Sequence, residues 1–166
     1  MRRRLLTLLS LSAIVAGAGG GLTASPAGAN TTVRTFIHVD YSDTIEDLCS
    51  FPIEEDVQGS FKRVAYFDSD GNIIKVIFTP TGGPLTITWT ANGVTATTRS
   101  VGTMVLIAFA PEFTFTENGI VFNFVVPGIG AVYQEVGRFV MDSEGNIIFK
   151  AGPEGDVDTL CQALSG

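Results

Sequence analysis

The single histidine, His38, is the first candidate for catalysis, because a Ser-His-Asp triad would have to use it. The chain has no Gly-x-Ser-x-Gly segment to hold a nucleophilic serine. His38 also lies near the N-terminus expected for the exported chain, where a histidine side chain is usually solvated. The sequence therefore predicts no catalytic triad.

Acidic residues provide the second kind of candidate chemistry. Glu54, Glu55 and Asp56 form the densest cluster, and alternate residues of a strand share a face, as the paired carboxylates of a glycosidase must. We favour another interpretation, in which the cluster is a solvated edge that discourages edge-to-edge pairing. We therefore assign no catalytic residue.

Metal and phosphate sites are not predicted either. A calcium loop of the EF-hand type needs glycine at its sixth position, whereas the loop that starts at Asp68 has Gly71 at its fourth. The glycine-rich stretch 79–84 lacks the Lys-Ser/Thr ending of a phosphate loop. We expect no metal and no cofactor.

Cys49 and Cys161 are the only cysteines, and 112 positions separate them. The chain contains no Cys-x-x-Cys pair and no histidine beside either thiol, so a redox or nucleophilic role is disfavoured. We predict a structural disulfide, which would stabilise the fold by ~4–5 kcal/mol in the chain-entropy model.

The stretch 131–141 mixes polar and apolar residues on both faces. Strict alternation places Glu135 with Tyr133, Phe139 and Met141, where a buried polar group would orient a ligand. We favour another interpretation, in which a bulge at Gly137 re-phases the strand and Glu135 and Arg138 meet outside as an ordinary ion pair.

An export signal precedes the elements that must position these residues. Three arginines and a short apolar run lead to Ala27-Gly28-Ala29, which has the small residues that signal peptidase requires. Cleavage after Ala29 leaves seven basic residues against 17 acidic ones, a net charge of −10. We predict a secreted, extracellular protein that has no stable membrane span and does not bind nucleic acid.

Short β-rich runs separated by turn dipeptides indicate an all-β domain at 57–166, preceded by an extended segment at 30–56 that carries Cys49. Asn92-Gly93 predicts a type I′ turn that pairs Trp89 with Ala96. Asn118-Gly119 likewise predicts a hairpin, in which Phe115 faces Phe122 and Phe113 faces Phe124. Two similar turns, at 68–74 and 142–148, indicate the same turn chemistry used twice.

We predict an up-and-down antiparallel barrel of about eight strands, because closure removes the exposed edges of a long meander. A β-sandwich is the alternative. At the C-terminus, the apolar spacing of Val157, Leu160, Cys161 and Leu164 predicts a short helix that Asp156 would cap.

Three short motifs carry a resemblance: Cys49-Ser50-Phe51-Pro52, Gly137-Arg138-Phe139-Val140 and Leu160-Cys161-Gln162-Ala163-Leu164. With them the chain resembles small secreted actinobacterial β-proteins that have no characterised function. In layout only, it also resembles the allene oxide cyclase and dirigent barrels, and no active-site residue is carried over from them. The resemblance implies export and a β fold.

Two function classes follow. The first is a secreted protein that binds a small apolar molecule in the barrel, and the second is a secreted enzyme that uses carboxylates and a tyrosine on the same scaffold. A surface interaction protein without a pocket is a third possibility. We expect a binder rather than an enzyme. The candidate site consists of an aromatic lining with one polar group to orient the ligand: Trp89, Phe113, Phe115, Phe122 and Phe124, with Glu135 or Arg138.

Overall fold

The computed structural model describes residues 31–109 and 112–166, so the export signal predicted at 1–29 lies outside the described residues. In the described part, nine antiparallel strands and one helix follow each other along the chain. The strands are β1 (Thr32–Ile45), β2 (Ile53–Phe67), β3 (Ile73–Pro80), β4 (Leu85–Ala91), β5 (Val94–Ser100), β6 (Thr103–Phe109), β7 (Glu112–Val126), β8 (Gly130–Met141) and β9 (Ile147–Ala151), and the helix is α1 (Val157–Leu164).

Hydrogen bonds close six of the strands into a ring, in the order β2, β4, β5, β7, β6, β3. The all-β class and the closed antiparallel sheet are thereby confirmed. The strand order is not that of a simple meander, because β2 and β7 are long enough for one edge of each to pair with two short strands. The first half of β2 pairs with β4 and its second half with β3, while β7 pairs with β6 and then with β5.

Three strands lie outside the ring. β1 pairs with β2 from end to end, so most of the segment predicted as an N-terminal extension belongs to the sheet. β8 pairs with β7 along nearly its whole length, and β9 adds to the far edge of β8.

The β4–β5 hairpin confirms its sequence prediction in detail. Asn92 and Gly93 have φ values of 50° and 79°, the positive angles that a type I′ turn requires. The turn pairs Trp89 with Ala96 and Ile87 with Thr98. Alternate residues of β4 are buried, so one face of this hairpin forms part of the core.

The hairpin predicted at Asn118-Gly119 is wrong. Residues 112–126 form one continuous strand, in which Phe115 pairs with Leu106 on one side and Met141 on the other. A turn at Gly119 would break two ladders, because β6 and β8 occupy the two edges of β7 up to this point. Gly119 has a φ of 103° and lies against Gly102, where an added Cβ would be 3.3 Å from the Gly102 Cα.

The C-terminal helix closes the fold. Asp156 caps α1 by accepting a hydrogen bond from the backbone N–H of Asp158 at 3.1 Å, and Leu160 and Leu164 are fully buried. Cys161 forms the predicted disulfide with Cys49, with their Cα atoms 5.6 Å apart. The bond ties the helix to the β1–β2 connection at the other end of the chain.

Candidate functional site

Trp89 is at the centre of the aromatic part of the core. Its ring stacks on Phe124 with centroids 4.1 Å apart, and Phe124 stacks in turn on Phe122 at 5.8 Å. Tyr133 meets the edge of the Phe124 ring at 6.3 Å. The structure therefore brings together Trp89, Phe122 and Phe124 of the predicted lining and adds Tyr133 to them.

Trp89 and Phe124 are both completely buried, so their faces pack against the protein itself. The indole N–H of Trp89 donates to the Glu55 carboxylate at 2.9 Å, and Tyr41 donates to the other oxygen of that carboxylate at 3.3 Å. One member of the predicted acidic edge thus satisfies the buried indole, which is a structural role.

The other predicted lining residues lie elsewhere. Phe113 and Phe115 occupy the first half of β7, where they pair with Ala108 and Leu106 of β6. Arg138 is exposed, and its guanidinium group stands over the Phe149 ring at 5.7 Å. These three residues therefore do not join the aromatic stack around Trp89.

Glu135 faces the interior and is only 8% exposed. The outward Glu135–Arg138 arrangement is therefore wrong, and alternation holds from Tyr133 onward, since Tyr133, Phe139 and Met141 are buried with Glu135. The phenolic O–H of Tyr133 donates to the Glu135 carboxylate at 3.3 Å. Gly155 packs so closely on the Tyr133 ring that an added Cβ would collide with it, which holds the phenol in place.

A second buried carboxyl, Glu117, was missed by the sequence analysis. It is 5% exposed and lies on β7 between Met104 of β6 and Phe139 of β8. A usable signal existed, because Glu117 has the same parity in the strand as Phe113 and Phe115. The predicted turn at Asn118-Gly119 placed Glu117 at the end of a strand and concealed that signal.

Glu117 and Glu135 lie on the same face of the β7–β8 ladder, on either side of a pair of glycines. Gly119 pairs with Gly137 in the β7–β8 ladder, and this pair lies between the rows that carry the two carboxyls. Of the residues between the two rows, the glycines have no side chain, whereas Val121, where the register of the ladder shifts, is buried. Glu117 and Glu135 are the two carboxylic acids that are buried in the described part of the chain.

Burial, and then the neighbouring charge of Glu135, raise the pKa of Glu117 from 4.5 to about 8. Two carboxylates in a poorly solvated site cannot easily both ionise, so at neutral pH Glu117 keeps its proton. Glu117 is therefore a protonated acid, and a potential hydrogen-bond donor, near the negative charge of Glu135.

No side chain or backbone group among residues 31–109 and 112–166 forms a hydrogen bond with the Glu117 carboxyl. In the same residues, no fully enclosed side-chain oxygen or nitrogen lacks a partner. Because the Glu117 oxygens have no partner and are still not among fully enclosed atoms, they keep some contact with solvent. This combination of deep burial, missing partners and residual access makes Glu117 the centre of the candidate site.

The sequence analysis also predicted no catalytic histidine, no metal site and no membrane span, and the described residues bear on each of these. His38 is exposed and its Nδ1 lies 3.2 Å from the Ser60 hydroxyl. The described residues contain no group of three His, Cys, Asp or Glu side chains that could hold a metal ion. Nor does any helix of these residues have the length and apolar character to cross a membrane.

No family model, curated protein or solved structure matches the chain. The resemblance to small secreted actinobacterial proteins stays a prediction. What the chain can do must be inferred from the geometry of its own residues.

Proposed function

We propose that the chain is an exported protein that binds a small, mainly apolar molecule inside the barrel, with a polar group of that molecule against Glu117 and Glu135. The observation that carries this proposal is the carboxyl of Glu117, which is 5% exposed and has no hydrogen-bond partner among the described residues. A carboxyl that is this deeply buried and has no protein partner is poorly solvated. A ligand that hydrogen-bonds to Glu117 would supply the missing partner.

The surroundings of Glu117 explain why the rest of the ligand is apolar. Met104 and Phe139 flank it in the ladder, and Phe122 pairs with Glu135. Small-molecule sites typically combine such apolar walls with a few polar groups that fix orientation. The disulfide between Cys49 and Cys161 supports export, because such bonds persist in oxidising compartments.

A second candidate function is acid–base catalysis by the same pair. The raised pKa of Glu117, to about 8, favours it, since a protonated acid beside a second carboxyl can donate a proton while its neighbour accepts one. The two functions differ in what happens to the bound molecule. A binding protein returns it unchanged, whereas an enzyme returns a product that mass spectrometry detects.

The experiment uses N-phenyl-1-naphthylamine, a neutral apolar probe with one N–H donor. Trp89 is the only tryptophan, so energy transfer from its emission to the probe reports binding near the core. We expect saturable binding at one site. We further expect Glu117→Leu to weaken it about tenfold, because a hydrogen bond to a carboxyl is lost.

Glu54→Leu is the matched control, since Glu54 is an exposed carboxylate on β2. Circular dichroism of each variant establishes that the fold is intact. Binding that does not saturate, or that Glu117→Leu and Glu54→Leu affect equally, would contradict the proposal. The pocketless interaction protein would then be the better hypothesis.

A further inference from the structure

Among the described residues, the buried acidic and basic side chains have one sign of charge. Glu117 and Glu135 are the buried carboxylic acids of this part, and every lysine, arginine and histidine in it is at least partly exposed. Three of the bases also have partners on the surface: Lys75 stands over the Tyr66 ring, Arg138 over the Phe149 ring, and Lys150 pairs with Glu154. The described residues therefore place no basic side chain in the interior beside Glu117.

The walls beside the carboxyl pair suit a cation as well. Three inward-facing aromatic residues lie near the two carboxyls. Phe139 pairs with Glu117, Phe122 pairs with Glu135, and Tyr133 is two residues before Glu135 on β8. Aromatic faces attract ammonium groups, and the attraction strengthens when water is excluded. Met104, opposite Glu117, contributes a polarizable thioether to the same wall.

Resting on the proposed function, we infer that the ligand of this site is a protonated amine on a small apolar body. Its ammonium group would donate hydrogen bonds to Glu117 and Glu135, and its body would contact Met104, Phe122 and Phe139. The ammonium supplies a positive charge and hydrogen-bond donors, which the residues of the described ranges do not place at the Glu117 carboxyl. An anionic ligand would instead add a further negative charge to the pair.

The protonation of Glu117 makes the inference specific. Because Glu117 holds a proton at neutral pH in the empty site, an arriving ammonium group favours its ionised form, and the proton leaves to solvent. Binding of a neutral molecule leaves the proton in place. Binding of a carboxylate ligand requires Glu117 to keep its proton, or a further proton to be taken up from solvent.

The experiment compares three probes with one shared body: benzylamine, benzyl alcohol and benzoate. Isothermal titration calorimetry on the oxidised protein at pH 7, in two buffers of different ionisation enthalpy, gives affinity and proton exchange together. We expect benzylamine to bind about tenfold more tightly than benzyl alcohol, and benzoate to bind most weakly. We also expect benzylamine, but not benzyl alcohol, to release close to one proton.

Glu117→Gln separates charge from shape. The variant keeps the size of the side chain, so it should lose the preference for benzylamine over benzyl alcohol and the release of a proton. Glu54→Gln, on the exposed face of β2, should change neither. Circular dichroism again establishes that each variant is folded.

The outcomes distinguish the two proposals. If benzyl alcohol binds as tightly as benzylamine, or if benzoate binds best, the inference of a cationic ligand is overturned while binding in the barrel stands. If none of the three probes binds and the neutral naphthylamine probe also fails, binding in the barrel is overturned as well.

Discussion

Replacing Glu117 by glutamine should make the protein more stable at neutral and alkaline pH. The folded chain holds a proton on Glu117 up to about pH 8, because burial and the adjacent Glu135 charge raise the pKa of this carboxyl from 4.5. The unfolded chain releases that proton near pH 4.5. The contribution of Glu117 to stability is therefore complete below pH 4.5 and declines as the pH rises toward 8.

The magnitude follows from the size of the pKa shift. Each pKa unit corresponds to about 1.4 kcal/mol, so the wild type loses roughly 3 kcal/mol of unfolding free energy at pH 7 through this one group, and roughly 5 kcal/mol above pH 8. Glutamine cannot ionise, and its amide resembles the protonated acid in shape. Glu117→Gln should therefore match the wild type near pH 4.5 and exceed it increasingly at higher pH.

Urea denaturation followed by Trp89 fluorescence measures the effect, on oxidised protein at several pH values between 4.5 and 8.5. Other groups titrate in both proteins, so the informative quantity is the difference between the two curves. Glu54→Gln, an exposed carboxylate on β2, is the control and should run parallel to the wild type. Parallel curves for Glu117→Gln and the wild type would refute the raised pKa and the reasoning built on it.

Three further predictions concern the frame that holds the site. Reducing the Cys49–Cys161 bond should lower the unfolding free energy by about 4–5 kcal/mol, read from urea midpoints with and without dithiothreitol; equal midpoints would contradict a stabilising role. Asp142→Ala should lower the melting temperature, because the Asp142 carboxylate accepts hydrogen bonds from the backbone of Glu144 and Asn146 and from the Asn146 side chain. These bonds lower the pKa of Asp142 below 3.8. The difference in melting temperature between Asp142→Ala and the wild type should therefore be complete above pH 3.8 and vanish as the pH falls through the lowered pKa of Asp142. Ser143→Ala is the control, and a difference that does not depend on pH would count against the explanation. Protein recovered from culture medium should begin at Asn30, as N-terminal sequencing would report, and a retained full-length chain would oppose cleavage after Ala29.

Local turn chemistry was the most predictable level of the fold. Asn92-Gly93 formed the expected type I′ turn with the expected register. The turns at Asp68 and Asp142 use the same hydrogen bonds: the aspartate carboxylate accepts from the backbone N–H and the side-chain amide of the asparagine four residues later. In each case the interactions join residues close in sequence, so the sequence alone contains them.

The same dipeptide at Asn118-Gly119 shows where sequence reasoning stops. There the chain continues straight, because β6 and β8 pair with β7 on both edges and a turn would sacrifice both ladders. Those partners come from distant parts of the chain, as do the pairings of β2 with β4 and of β5 with β7. Local patterns reveal strands and their faces, whereas the order of strands depends on which long-range ladders a whole sheet can satisfy.

Of the two carboxyls of the candidate site, only the burial of Glu135 could be read from the local sequence pattern. Alternation along β8 correctly placed Glu135 among buried apolar residues. Glu117 follows the same rule on β7, but its burial becomes visible only once 112–126 is known to be one strand. That the two carboxyls share one face of the β7–β8 ladder depends on how these strands pair, which no local pattern specifies.

The most direct test of the interior carboxyl pair is a titration of the glutamate side-chain carboxyl carbons by ¹³C NMR. One resonance should titrate with a midpoint near pH 8, disappear in Glu117→Gln, and move to lower pH in Glu135→Gln, where the neighbouring charge is absent. If every glutamate resonance of the folded protein titrates in the ordinary range around pH 4–5, Glu117 is not the protonated, desolvated carboxyl described above, and the interior site loses its chemical basis.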